Sequence, residues 1–363
     1  MDLNYKRIVI KIGSNVLTRD DGLPDIERIE HIAGQVAALK EQDKEVIIVS
    51  SGAVASGRSV LSSVGEKFDA VATRQLFAAI GQVKLINTYS EKFGNHGLLC
   101  AQVLVTREDF RDRLHYLNMK NCFGILLQNN VIPIVNENDV ISVTELMFTD
   151  NDELAGLIAS MLRADALIIL TNVDGIFNGD PSLPGAEVIR YVDPSFSDFS
   201  SFITTRKSQF GRGGMVTKSG IAHKTAKLGI AVHIANGKTE DVLLKLVSDE
   251  VLNTCFVPAR KASGKKRWIA SSENYAKGVV QINAGARQAL LSSRASSLLP
   301  VGVVAILQDF KKGDIIKLVD ESLHQVGLGI AEYGSEKASA LIGLQNQKAL
   351  VHYDYLFINP DIS

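Results

Sequence analysis

Short apolar runs and helical spacings take turns along most of the first two-thirds of the chain. Ile8-Val9-Ile10 is a brief β-branched run that ends at a Gly/Ser turn. Ile26, Ile29, Ala33, Val36 and Ala37 then recur at helical spacing. Val46-Ile47-Ile48-Val49 is apolar at every position, as a strand covered on both faces requires, and it stops at Ser50-Ser51-Gly52. The same reading predicts a helix from about Thr73 to Phe93, a strand Cys100 to Val105, a helix Leu117 to Gln128 and a strand Val131 to Val135. A helix around Leu154 to Leu162 precedes the strand Leu167-Ile168-Ile169-Leu170, and a helix Lys218 to Leu228 precedes Val232-His233-Ile234. Strands alternating with helices imply βαβ units, hence an α/β fold: an αβα sandwich around a mainly parallel sheet.

The texture changes after about Cys255. Ala259 to Lys266 is rich in Lys, Ser and Gly and reads as a linker. Beyond it, short strands are expected at Gly278 to Ile282, Gly302 to Leu307, Asp314 to Val319 and Gln325 to Ala331, with one helix near Ala286 to Ser292. The expected organisation is a larger domain over 1–257, a linker over 258–275 and a small β-rich domain over 276–363.

Composition narrows the class. The chain has 363 residues, 46% hydrophobic and 22% charged, which suits two globular domains. A formal net charge of -1 gives no overall pull toward nucleic acid or anionic lipid. Cys100, Cys122 and Cys255 are widely spaced and odd in number, which argues against a disulfide framework or a zinc site and suits a reducing compartment. The N-terminus has no signal-peptide pattern and no apolar run is long enough to span a bilayer, so a cytoplasmic location is expected.

Ligands of parallel sheets bind beyond the carboxyl ends of the strands, so polar and glycine residues there are the first candidates. Lys11-Ile12-Gly13-Ser14 places a cation beside exposed backbone amides, an arrangement suited to phosphate, although a lone lysine at a strand end is more often a solvated charge. Ser50-Ser51-Gly52-Ala53 lets a ligand approach the backbone closely, although such a cluster taken alone is more often an ordinary turn into a helix. Asn136-Glu137-Asn138-Asp139 and Asp150-Asn151-Asp152 crowd carboxylates and amides together. Asp150 reads equally well as a helix N-cap, which leaves Asn136 and Asp139 unexplained. Gly211-Arg212-Gly213-Gly214-Met215-Val216-Thr217-Lys218 opens a helix with amides and a cation, or is a flexible turn; it is not a Walker A motif. Two lysines, two Gly-containing turns and an acidic cluster together suit phosphoryl transfer, where positioning and charge neutralisation supply most of the rate.

These segments, in this order, resemble the amino acid kinase family. Pro133 to Asp139 followed by Asp150-Asn151-Asp152 is most similar to the members that phosphorylate glutamate on its side-chain carboxylate. Lys265-Lys266-Arg267-Trp268-Ile269, Gly278 onward and Ser296 to Gly302 resemble the start of the PUA domain that many bacterial members carry.

The resemblance implies that Lys11 and Lys218 contact ATP phosphates and that Asp152 orients both lysines. It implies that Ser51, Gly52 and Ala53 lie near the reacting carboxylate and that Asn136, Asp139 and Asn151 hold L-glutamate. Gly13, Ser14, Thr171, Asn172, Arg212, Gly213, Gly214, Met215, Val216 and Thr217 then line the nucleotide, with Val173 to Phe177 along its adenine side. The same resemblance implies MgATP as phosphoryl donor, proline as inhibitor and a homo-oligomer. Mg²⁺ is expected on phosphate oxygens and water rather than on protein ligands, and the lack of long apolar runs leaves no membrane partner expected.

Three departures from the family pattern stand out: Asn172 where Asp is common, Arg212 where Thr is common, and Ser219 where an apolar residue usually follows the lysine. The rival readings are an acetylglutamate or aspartate kinase of the same fold, and an RNA-binding protein. The balanced charge from Lys277 onward speaks against the latter.

Overall fold

The computed structural model describes residues 4–61, 69–141, 148, 150–179, 183, 185–194, 214–259, 269, 276–292 and 296–358. The chain divides into two compact units, Met1–Lys261 and Ala262–Ser363.

In the first unit, β1 (Arg7–Ile12), β2 (Glu45–Ser50), β3 (Cys100–Val105), β4 (Ile132–Glu137), β5 (Ala166–Thr171), β6 (Tyr191–Val192), β7 (Ala231–Asn236) and β8 (Asn253–Phe256) form one sheet. Its order is β3-β4-β2-β1-β5-β7-β8-β6, parallel throughout except for the β7–β8 pair. The antiparallel β8 and the two-residue β6 are absent from the sequence reading. Neither has the continuous apolar run that marked the buried central strands.

The helices are α1 (Ser14–Leu17), α2 (Ile26–Glu41), α3 (Ala53–Val60), α4 (Ala70–Gly94), α5 (Arg107–Arg111), α6 (Arg113–Gln128), α7 (Asn151–Leu162), α8 (Met215–Lys227) and α9 (Val242–Val247). Strand alternation sorts β1 between two layers. Ile8, Ile10 and Ile12 share one core with α2, α4 and α9. The intervening positions, Lys11 among them, face the other side, where α7 packs on β1 and β5.

Several helices begin earlier than apolar spacing predicts, because polar caps precede the first apolar residue. The Asp69, Asp112 and Asp150 carboxylates accept from the first-turn amides of α4, α6 and α7. Strand β4 runs further than expected: Leu104 and Val105 of β3 pair with Asn136 and Glu137, so these two lie inside the strand and are buried.

The second unit has its own sheet: β9 (Gly278–Ile282), β10 (Val303–Gln308), β11 (Ile315–Val319), β12 (Gln325–Ile330) and β13 (Leu356–Ile358), in the order β10-β9-β11-β12-β13. Only β9 and β11 pair in parallel. Helices α10 (Ala284–Leu291) and α11 (Ser335–Leu341) belong to it, and Val280, Ile316, Leu318, Val326 and Val351 centre a separate apolar core. Gly302, expected to begin a strand, instead closes the 3₁₀ turn Pro300–Gly302 ahead of β10, with proline in that turn. Most of the expected linker lies outside the described residues.

Helices α3 and α4 touch backbone to backbone. A Cβ on Gly81 would stand 1.7 Å from the Ala53 carbonyl oxygen, and one on Gly57 would stand 2.0 Å from that of Phe77. Gly81→Ala gains about 1 kcal/mol in helix propensity but must force the helices apart. A net loss of about 2–3 kcal/mol in urea unfolding is expected, and an unchanged midpoint would show that the two helices separate freely.

Candidate active site

The site is assembled at the carboxyl ends of β1, β2, β4 and β5, around one buried carboxylate. Asp152, in the first turn of α7, is fully buried. Its Oδ1 lies 2.6 Å from the Nζ of Lys11, the penultimate residue of β1. The Nζ of Lys218, in the first turn of α8, donates to its Oδ2 at 2.5 Å. The two lysines predicted from distant segments therefore meet on a single side chain.

Burial alone would push the Asp152 carboxyl up, but the two ammonium groups outweigh it and hold the group well below the usual carboxylate range. Lys11 is shifted down, chiefly by burial; Lys218 is held above its ordinary value because Asp152 more than offsets the cost of burial.

Two further chain segments meet at the same strand ends. Gly52 caps α3 at φ +101°, in the left-handed region where glycine carries no steric penalty, with a half-buried Ser51 before it and a buried Ala53 after it. The side-chain amide of Asn151 reaches Ser50 O at 3.2 Å, Ser51 Oγ at 3.1 Å and Asn136 Oδ1 at 3.2 Å. One amide thus ties the ends of β2 and β4 to the start of α7. Ser50 is anchored in turn by the buried Tyr89 hydroxyl at 2.9 Å. Asp139, two residues beyond β4, is buried.

The expected nucleotide residues lie around the same strand ends. Gly13 caps α1 and its N–H donates to Leu170 O at 3.1 Å; Ser14 opens that helix. Thr171 closes β5, and its Oγ1 approaches Asn172 Oδ1 at 3.4 Å. In the Val173–Phe177 segment, Asp174 accepts from Asn236 Nδ2 at 3.0 Å and the Ile176 N–H donates to Thr254 Oγ1 at 2.8 Å. Gly214 caps α8, with Met215, Val216 and Thr217 in its first turn. Arg212 and Gly213 lie outside the described residues. The hydroxyl of Ser219, a departure from the family pattern, is buried and satisfied by donating to Met215 O at 2.8 Å.

Two groups escaped the sequence reading. Asp150 does cap α7, its Oδ1 accepting from the amides of Asp152 and Glu153, but its buried Oδ2 has no hydrogen-bond partner among the described residues. Burial, then the neighbouring Asp152 charge, raise its pKa to about 6. The Asp-Asn-Asp triplet was the available signal, and its capping role hid the second oxygen. Arg74, on α4, sits against Asp139; no local motif points to it.

Residues 6–236 match the Amino acid kinase family, and residues 278–349 match the PUA domain. The chain is 51% identical to the glutamate 5-kinase of Bacteroides thetaiotaomicron over 99% of its own length and 100% of that protein. It is 49% identical to the glutamate 5-kinase of Chlorobaculum tepidum, covering 98% of each. Among solved structures, an isopentenyl phosphate kinase substrate complex shares the fold with TM-score 0.51 at 18% identity, covering 69% of this chain and 99% of that one. A carbamate kinase from Giardia lamblia bound to AMP-PNP does so with TM-score 0.51 at 18% identity, covering 70% and 99%.

The raised Asp150 pKa makes a signed prediction. The native state keeps this proton up to about pH 6, whereas an unfolded carboxyl releases it near its ordinary value of 3.8, so this group's contribution to stability falls as pH rises between the two. Asp150→Asn keeps the cap oxygen and removes the buried charge. It is expected to stabilise the ligand-free protein by about 2 kcal/mol above pH 6, with the gain vanishing below pH 4, as read by urea unfolding across pH. A gain independent of pH would reject the assignment.

Proposed function

Because the chain belongs to the amino acid kinase family, we propose that it transfers the γ-phosphoryl group of ATP to the side-chain carboxylate of L-glutamate, the first step toward proline. The observation that carries this reading is the pair of lysines held on Asp152 at the strand ends, in a chain so similar to named glutamate 5-kinases. Two cations against one buried anion leave positive charge available to a polyphosphate tail.

One oxygen of the glutamate γ-carboxylate forms a bond to the γ-phosphorus of MgATP as the bridging bond to ADP breaks in line, giving γ-glutamyl phosphate. That carboxylate is ionised at neutral pH, so no general base is required. Lys11 and Lys218 gather the phosphate oxygens, and Asp152 holds both ammonium groups in place. Ser51, Gly52 and Ala53 flank the reacting carboxylate, while Asn136, Asp139 and Asn151 hold the amino-acid end. The unpartnered oxygen of Asp150 offers an acceptor to its ammonium. Gly13, Ser14, Thr171, Asn172 and the segment from Arg212 to Thr217 hold the nucleotide.

Mg²⁺ arrives as part of the nucleotide substrate, bound by phosphate oxygens and water. No group of three or more His, Cys, Asp or Glu able to hold a metal ion occurs among the described residues. Proline, which carries the same α-ammonium and α-carboxylate, competes for the glutamate site in this reading. The catalytic domain spans 1–257 and the PUA-like domain 276–363, the latter with a structural or regulatory role in the cytoplasm. No helix among the described residues is long and apolar enough to cross a membrane. A homo-oligomer belongs to the same reading.

Lys11→Ala and Lys218→Ala should each lower kcat by roughly 100- to 1,000-fold with little change in KM for glutamate, measured by coupled ADP release; near-normal kcat in both would defeat the mechanism. Hydroxylamine trapping of the acyl phosphate is expected with glutamate but not with N-acetylglutamate or aspartate, and proline should reduce it. A preference for N-acetylglutamate would overturn the substrate assignment.

A further inference from the structure

An α-amino acid brings two opposite charges on one carbon, and the residues expected to hold it supply only half of the match. Ser51, Asn136, Asp139 and Asn151 carry no positive charge, and both lysines are committed to Asp152. The structure places one further cation at this end of the site. Arg74, in the second turn of α4, sets its Nη2 2.5 Å from Asp139 Oδ1 and 3.9 Å from Glu137 Oε2.

Both carboxylates are nearly closed off from solvent, while the Arg74 side chain remains 30% exposed. Glu137 is already engaged, its Oε1 accepting from the Phe148 N–H at 2.9 Å. The next residue of α4, Gln75, donates to Val140 O at 2.7 Å, so consecutive helix residues clamp the segment that follows β4. A guanidinium carries five N–H donors in a rigid fork. Only Nη2 meets these carboxylates, and Nε and Nη1 make no hydrogen bond among the described residues.

We propose that Arg74 receives the α-carboxylate of the acceptor amino acid, beside an Asp139 that draws its α-ammonium, and so selects α-amino acids over ω-amino acids. This rests on the glutamate reading above. The ion pair with Asp139 orients the fork before substrate arrives, and the free donors then take the second carboxylate through charge-assisted bonds. The paired guanidinium and carboxylate present a dipole opposite in sense to that of the zwitterionic head. A lysine at this position would keep the charge and lose the fork.

The test compares wild type, Arg74→Gln and Arg74→Lys, using KM for L-glutamate and inhibition constants for glutarate, which keeps both carboxylates, and 4-aminobutyrate, which lacks the α-carboxylate. Arg74→Gln is expected to raise KM for L-glutamate roughly 10- to 100-fold and to weaken glutarate similarly, leaving 4-aminobutyrate and the KM for MgATP unchanged; Arg74→Lys should fall between. Thermal unfolding of each variant shows that the fold persists, and Arg74→Lys carries the comparison if Arg74→Gln does not fold. Equal weakening of L-glutamate and 4-aminobutyrate, or no change in either, overturns the inference in favour of a purely structural clamp. A wild-type protein that forms no hydroxamate from L-glutamate defeats the proposed function instead, whereas an active wild type whose variants keep its discrimination defeats only the role of Arg74.

Discussion

Everything at the candidate site depends on a carboxylate that cannot remain alone. Asp152 is fully buried, and an isolated charge there would be strongly disfavoured. Two ammonium groups within 2.6 Å keep it ionised. The same contacts draw β1 and the start of α8 to the start of α7, 141 and 66 residues distant along the chain. Breaking one contact leaves the anion with half its compensation, so the three residues act as a unit. Such a unit keeps two cations close without letting their mutual repulsion drive them apart, which a polyphosphate substrate requires.

Helix α7 is the platform for that unit. Leu154 through Leu162 are buried, as expected of a helix enclosed by other elements rather than lying on a surface. Its first turn carries Asn151 and Asp152 beside the capping Asp150, so the amide that ties β2 to β4 and the carboxylate that holds both lysines share one rigid segment. The bidentate contact of Arg107 Nη2 with both oxygens of Glu153, at 2.9 and 2.7 Å, ties the same turn to α5. Helix α4 performs a comparable task. Gly81 lets it press on α3, which the Gly52 turn leads into, while Arg74 and Gln75 hold the chain after β4. A glycine and two polar side chains of α4 therefore fix neighbouring segments through packing and through hydrogen bonds.

The second unit shows a different economy. It has a self-contained core, and Lys277, Arg287 and Lys348 lie beside Asp314, Asp320 and Glu332 at 3.5, 3.5 and 3.1 Å. Each of these three cations is offset by an adjacent carboxylate. The match to the PUA domain describes a fold, and the chemistry proposed for the chain resides in the first unit.

Strands β1 to β5 and β7 and helices α2, α4, α6, α7 and α8 were legible from periodicity, because a buried parallel strand must be apolar on both faces and a packed helix must carry an apolar stripe, whereas β6 and the short helices α1, α5 and α9 were not. Lys11, Ser51, Asn136, Asp152 and Lys218 were legible as polar residues where such patterns stop. Antiparallel β8, the exact helix starts and the extension of β4 to Glu137 were not, since pairing partners and caps decide them rather than local hydrophobicity. Which residues were able to do chemistry was written in the chain, and the family resemblance already assigned Asp152 to both lysines. Folding in three dimensions added the distances within that trio, the unpartnered oxygen of Asp150, and the placement of Arg74 against Asp139 65 residues away. Electrostatic pairing acts over a few ångströms in space, and no periodicity along a chain records it.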